Sequence, residues 1–239
     1  PLYSSAASDV YKRQILPNYA MLRESNTNII GEVYLHIQQN LLALNGQTIE
    51  NIKEVHSHPM AILQCQHFFD KYPNIKLVEA EDTAAVARRI SEKQLKNIGA
   101  IAGLHVADIY NLTILAEAIE THKKNYTRFL ALSTSAKKET AEVNKSSLYF
   151  TIKHEKGNLA NVLTLLAKYD INLTKIQSLP IVGREWEYYI HVDMEFENYS
   201  NYQNALNAIK PSLSEIKILG EYIKGEKIIE LSSALLSAE

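Results

Sequence analysis

The chain has 239 residues, 46% apolar and 22% charged, with a formal net charge of −2. It is long enough for one large or two ordinary buried cores. Its near-neutral balance lacks the basic stripe of a nucleic-acid partner, and no run of about 18 apolar residues marks a membrane span.

The first methionine is Met21, and PLYSSAASDVYKRQ has neither an amphipathic period nor an apolar signal core, so residues 1–14 read as a non-native leader. ILPNYAMLRES then begins a helical pattern with Pro17 in its first turn. IIGEVYLHI alternates through Val33, Leu35 and Ile37 as a strand, and Asn45-Gly46 marks a turn. EVHS is a short strand, and SHPMAILQCQHFFDKY predicts one helix capped by Ser57 or His58. NIKLVEA is a strand, EDTAAVARRISEKQ a helix with acidic residues in its first turn, and NIGAIAG a strand. LHVADIYNLTILAEAIETHKK reads as helical throughout and RFLALS as a strand. The alternation implies an α/β fold with a largely parallel sheet over residues 15–134. The single cysteine, Cys65, excludes an internal disulfide, suits a reducing compartment such as the cytoplasm, and sits among Ile62, Leu63 and Phe68 as a buried thiol.

Residues 135–146 are polar and aperiodic, a linker. Beyond it, SLYFTIKH, GNLANVLTLLAKYD, NLTKIQSLPIVG, WEYYIHVDMEF, SNYQNALNAIK and SEIKILGEYIKG give a βαββαβ order, ferredoxin-like, over residues 147–226. Residues 227–239 are a C-terminal tail.

Open parallel sheets bind ligands beyond the carboxyl ends of their strands. Ser57 and His58, Glu81 with Asp82 and Thr83, and Gly103 occupy such junctions. Ser57 can cap a helix whose free N–H groups attract an anion, with Gln64 two turns on; a serine before His-Pro is also an ordinary cap. Glu81 is equally readable as dipole compensation. His56 and His58 lack a third metal ligand, and neither a glycine-rich phosphate loop nor a GxSxG elbow occurs. In Asn125-Tyr126-Thr127-Arg128-Phe129 a basic helix end enters a strand, with Thr127 and Phe129 on one face and Arg128 on the other. Whether these are strand-entry residues or a hydroxyl donor beside a fixed charge stays open on physics alone.

NYTRF, SHPMAILQC, EDTAAVA and a βαββαβ module carrying GNLANVL and SLP together resemble prephenate dehydratase from about Ile15 to Gly225. The resemblance implies a two-lobed, periplasmic-binding-protein-like catalytic domain followed by an ACT domain. It implies decarboxylating dehydration of prephenate to phenylpyruvate on the phenylalanine pathway, without cofactor or metal. It makes Thr127 the catalytic hydroxyl and Glu81 an acid tied to activity. Ser57, Gln64, Asn125, Arg128 and Phe129 become substrate-site residues, with Arg128 either meeting substrate or bracing its loop. Gly157, Asn158 and Leu159, with Gln177, Ser178, Leu179 and Pro180, become the regulatory phenylalanine site. A homodimer or homotetramer is expected, as are two alternatives: arogenate dehydratase, or a non-catalytic two-lobed binder with an ACT sensor.

Two departures stand out. The family's Gly-Pro-x-Gly-Thr-Phe-Ser and Glu-Asn-Ser/Thr motifs are missing, so an incomplete first lobe is expected, in an enzyme that is inactive if this chain is truncated. The usual Gly-Ala-Leu is Gly157-Asn158-Leu159, and Glu-Ser-Arg-Pro is Gln177-Ser178-Leu179-Pro180. Loss of that charged pair predicts weaker or altered phenylalanine control.

Overall fold

The computed structural model describes residues 3–9, 13–14, 16–135, 142–153 and 155–228. Contacts divide these between one unit, residues 36–126, and a second built from 1–35 and 127–239. In chain order the first elements are β1 (Tyr3–Asp9), β2 (Arg13–Gln14), α1 (Leu16–Glu24), β3 (Asn28–His36) and β4 (Asn40–Ala43). There follow β5 (Glu54–Ser57), α2 (Pro59–Gln64), α3 (Gln66–Phe69), β6 (Lys76–Glu79), α4 (Thr83–Lys93) and β7 (Ile98–Ala102). Next come α5 (Leu104–Tyr110), β8 (Thr113–Ala116), β9 (Tyr126–Ser133) and β10 (Lys145–Ile152). The last are α6 (Asn158–Lys168), β11 (Asn172–Pro180), β12 (Tyr188–Glu195), α7 (Tyr199–Ile209), β13 (Leu213–Tyr222) and β14 (Lys227–Ile228).

The unit of residues 36–126 is built on a sheet of order β6-β5-β7-β4-β8. β5 runs parallel to β6 and β7, whereas β4 is antiparallel to β7 and β8, so the sheet is mixed rather than largely parallel. Both its faces are covered. Leu41 and Ala43 join Ala61, Cys65 and Phe69 on one side, while Leu42 joins Val86, Ala87, Ile90, Val106 and Ala107 on the other. Because every position of β4 is buried, it shows no alternation, and periodicity alone does not reveal it. The helix expected to run from Leu104 stops at Tyr110. Asn111 takes a left-handed conformation (φ 48°), and Thr113–Ala116, which the helical reading had absorbed, forms β8. The expected helix over Ser57–Tyr72 breaks at Cys65 into α2 and α3.

The second unit holds two sheets. The first has the order β14-β3-β9-β1-β2. Of the leader expected at residues 1–14, residues 3–9 form β1, which pairs antiparallel with β9, and 13–14 form β2. The rest of that leader, residues 136–141 of the linker and 229–239 of the tail lie outside the described residues.

The second sheet has the order β11-β12-β10-β13, the ferredoxin-like arrangement expected from the βαββαβ pattern. Leu148 and Phe150 of β10, with Ile190, Val192 and Met194 of β12, face Val162 and Leu166 of α6 and Tyr202, Ala205 and Ile209 of α7. The opposite face is also covered: Tyr149, Leu219 and Tyr222 pack with Leu22, Ile29, Leu130 and Leu132 from α1, β3 and β9. Gly220 permits this approach, because a Cβ there would collide with the backbone carbonyl of Ile29. Gly220→Ala is therefore expected to lower stability by about 1–3 kcal/mol. The check is a reduced urea midpoint at unchanged slope; an unmoved midpoint would contradict the packing described.

Candidate functional site

In residues 36–126, Ser57 ends β5, fully buried, and its Oγ donates to the Ile101 carbonyl at 2.9 Å. It does not cap α2; His58 does, its ring accepting from the Met60 N–H at 3.2 Å. The following junction is close by, since Ser57 pairs with Glu79 and its carbonyl accepts from Ala80 N. Asp82 caps α4, accepting from Ala84 N at 2.8 Å, and leaves Glu81 exposed beside the cap.

Gln64 and Asn125 meet directly. The Gln64 Oε1 accepts from Asn125 Nδ2 at 3.1 Å and from Gln39 Nε2 at 3.2 Å, which fixes the orientation of its amide. Asn125 is buried and also donates to the Ile37 carbonyl. Gln39 N donates in turn to the buried carboxylate of Glu120 at 2.8 Å. Sequence reasoning missed Gln39 and Glu120. They lie 25 residues before Gln64 and 81 residues after Gln39, and no local pattern links them. Cys65 is buried beneath this cluster, and burial together with the Glu120 charge pushes its thiol up to about 12, far from a reactive thiolate.

Thr127, Arg128 and Phe129 belong to the other unit, on β9. Arg128, Leu130 and Leu132 are buried on one face, and Thr127 and Phe129 are half-buried on the other. The Thr127 hydroxyl has no hydrogen-bond partner among the described residues. Arg128 is fully engaged. Its Nε donates to Glu32 at 2.6 Å, Nη1 to Asp193, and Nη2 to the Tyr222 hydroxyl at 2.8 Å. Glu32 also takes Lys145 Nζ at 2.9 Å. Ser147 spends its single hydrogen on Asp193, so Tyr222 is the donor in the 2.6 Å contact between the two hydroxyls. Burial alone would raise the Asp193 pKa, yet the charges of Arg128 and Lys175 and the Ser147 hydrogen bond hold it below the usual range. The Arg128 side chain thus spans from β3 to β12 and β13. Each of the three guanidinium nitrogens meets a protein acceptor.

The residues expected to bind an amino acid lie in the ferredoxin-like module. Gly157 stands at φ +80° before α6, and Asn158 donates to the Lys153 and Ser212 carbonyls. Leu159 packs on the module core. On β11 Gln177 donates to the Ser178 carbonyl. Thr151, Tyr189 and Leu179 form one row across the sheet, with Pro180 beside Tyr188, so the 177–180 segment ends where β10 leads toward Gly157. Gln177 itself pairs with His191.

A sequence model of the prephenate dehydratase family matches residues 11–137, more than half of the chain. The chain belongs to the prephenate dehydratase family. It is 35% identical over 206 residues to a bifunctional chorismate mutase/prephenate dehydratase of Aquifex aeolicus, covering 85% of this chain and 56% of that protein. It is 34% identical over 238 residues to arogenate dehydratase 2 of Petunia hybrida, covering 93% of this chain and 59% of that protein. The chain thus spans a little over half the length of these relatives. A solved prephenate dehydratase from Arthrobacter aurescens in complex with L-Phe superposes with a TM-score of 0.80 at 22% identity, over 96% of this chain and 77% of its own. The α/β fold class expected from the sequence, two-lobed with an appended βαββαβ module, is the one shared with this family.

His191 gives this module a pH signature. Both ring nitrogens are buried and have no hydrogen-bond partner among the described residues. Tyr19 of α1 lies 4.9 Å and Tyr149 of β10 5.4 Å from its ring, centre to centre. Burial, then the charges of Arg23 and Lys175, lower its pKa to about 4, against a smaller opposing pull from Asp193. The unfolded chain therefore binds a proton near pH 6.5 that the folded chain refuses until about pH 4. Stability is expected to fall by roughly 2–3 kcal/mol across that window on acidification. In His191→Leu this contribution should vanish from urea midpoints measured between these pH values; an unchanged pH slope would refute it.

Proposed function

We propose that this chain carries out prephenate dehydration, with Thr127 as the hydroxyl that assists departure of the ring oxygen. In the reaction the ring C–OH bond breaks with its electrons on oxygen, which becomes water on protonation. The bond to the ring carboxylate breaks as CO2 leaves, its electrons entering the ring, which becomes aromatic. The intrinsic driving force is large. The protein's task is to hold a dianion and to stabilise charge growing on the leaving oxygen.

The observation that carries this reading is the state of Thr127. It is half-buried, its hydroxyl is uncommitted among the described residues, and it adjoins a guanidinium neutralised by Glu32 and Asp193. A threonine is a weak acid, so its contribution is a positioned hydrogen bond that strengthens as the oxygen gains charge. Ser57, Gln64, Asn125 and Phe129 are proposed to shape and contact the substrate site, and Glu81 to act as its acid. No cofactor or metal is assigned. The 177–180 segment and Gly157–Leu159 are proposed as a phenylalanine site of an ACT domain, in line with the L-Phe complex of the solved neighbour. A cytoplasmic homodimer or homotetramer completes the proposal. Arogenate, which bears an amino group in place of the keto group, is the second substrate to weigh, because one similar relative is named an arogenate dehydratase.

Thr127→Ala is expected to lower kcat by about 10²–10³-fold with little change in KM, and Thr127→Ser to restore part of it. Phenylpyruvate release should be followed in the 239-residue chain and in a form carrying the family's N-terminal segment. Undiminished turnover by Thr127→Ala would end the assignment. Mixing prephenate and arogenate in one assay identifies the substrate: the larger kcat/KM marks it, and preference for arogenate would replace prephenate in this proposal.

A further inference from the structure

The buried cluster around Arg128 joins the strand carrying Thr127 to the regulatory-type module. Three of its groups come from three different strands of the ferredoxin-like sheet: Ser147 of β10, Asp193 of β12 and Tyr222 of β13. The other side of the guanidinium is held by Glu32 of β3, the neighbour of β9 in its own sheet. We infer that Asp193 and Tyr222 are positioning residues for Thr127, acting through Arg128, so that the ferredoxin-like module sets the placement of the catalytic hydroxyl.

The argument is mechanical and local. Thr127 and Arg128 are consecutive, so their Cα atoms are joined by a single rigid peptide of about 3.8 Å. The Arg128 side chain is held at all three guanidinium nitrogens, in directions its planar fork cannot vary independently. Asp193 and Tyr222 belong to different strands, and both are linked to Ser147, so a shift of either strand reaches the guanidinium. Any displacement of that anchor moves the peptide on which Thr127 is mounted. Misplacement of a catalytic group by about 1 Å costs about 10²-fold in rate. None of these partners is within 60 residues of Arg128 in the chain, so the coupling is invisible to local sequence patterns.

This inference rests on the reading of Thr127 as the catalytic hydroxyl, and the test separates the two. Asp193→Asn keeps the shape of the side chain and removes its charge; Tyr222→Phe removes one hydroxyl. Each is made alone and in the Thr127→Ala background, in whichever of the two forms above turns over prephenate, with folding checked by circular dichroism. The expected result is a loss of about 10- to 100-fold in kcat for each single variant. KM should stay within about two-fold, and no further loss should appear in the Thr127→Ala background, the non-additivity expected of groups acting through one another. Equal loss in both backgrounds would show an effect independent of Thr127 and overturn the inference, as would folded variants with unchanged kcat. Should Asp193→Asn fail to fold, Tyr222→Phe decides by the same criteria. If Thr127→Ala alone leaves the rate intact, the catalytic reading itself has failed, and that outcome is read before the others.

Discussion

A single guanidinium, that of Arg128, holds together the parts of the second unit. Four ionised side chains meet there with almost no exposure: Glu32 at 0%, Lys145 at 2%, Arg128 at 5% and Asp193 at 8%. Two cations and two anions cancel, and Glu195 at the rim closes the set through Lys145 and Lys224. Removing charges from water costs several kcal/mol each, and only near-complete pairing and hydrogen bonding offset it. The set is therefore favourable as a whole and unfavourable in any subset. Burial alone would lower the pKa of Arg128 and Lys145, yet both are raised, because the facing carboxylates outweigh it. This interdependence gives the ferredoxin-like sheet a defined seat on β3 and β9, where apolar contact alone would tolerate sliding.

That seat explains features elsewhere in the unit. β10 is buried on both faces because its even positions meet α6 and α7 while its odd positions meet the charged cluster and α1. Gly220 and Gly225 bring the chain against the backbones of Ile29 and Glu32, distances that a side chain would forbid. Arg23 and Lys175 lie over the rings of Tyr189 and Tyr19, extending the same face with cation–π contacts, and Arg23 also pairs with Glu24. Beyond β13, Lys227 and Ile228 add β14 in parallel to β3, so the chain leaving the module returns to the sheet that Arg128 anchors.

Much of this was legible in the sequence wherever one face of an element meets solvent or one turn is chemically marked. The amphipathic α4, with Val86, Ala87 and Ile90 inward and Asp82 as cap, is such a case, as is the βαββαβ order itself. Legibility failed where both faces are buried, as in β4, and where a left-handed asparagine ended a helix that the apolar spacing seemed to continue, as at Asn111. Among the candidate residues, Gln64 and Asn125 were found as separate points. Their meeting, and the Gln39–Glu120 support beneath them, depends on contacts spanning 61 and 81 residues. Arg128 stood out in the sequence as a permanent charge beside a threonine. The sequence could not decide whether that charge faces substrate, because its acceptors lie on β3, β12 and β13.

For the proposed reaction, this geometry implies a division of labour between charge and dipole. The substrate proposed here carries two negative charges, so a free cation would seem the obvious way to hold it. The nearest guanidinium to Thr127 along the chain is already neutralised by Glu32 and Asp193, and within the 36–126 unit the candidates that hydrogen-bond one another are the neutral carboxamides of Gln39, Gln64 and Asn125. Amides fixed by one another, as Gln64 is by Gln39 and Asn125, present dipoles that need no reorganisation when charge shifts from a carboxylate to a leaving oxygen. A strong unneutralised cation would favour the intact dianion at least as much as the state in which CO2 is departing as a neutral molecule, and would bind substrate without speeding its breakdown. In the proposed reaction, locking Arg128 into a buried ion set would keep its rigidity for positioning while withdrawing its charge from the substrate, and would leave Thr127 to act where charge is newly formed.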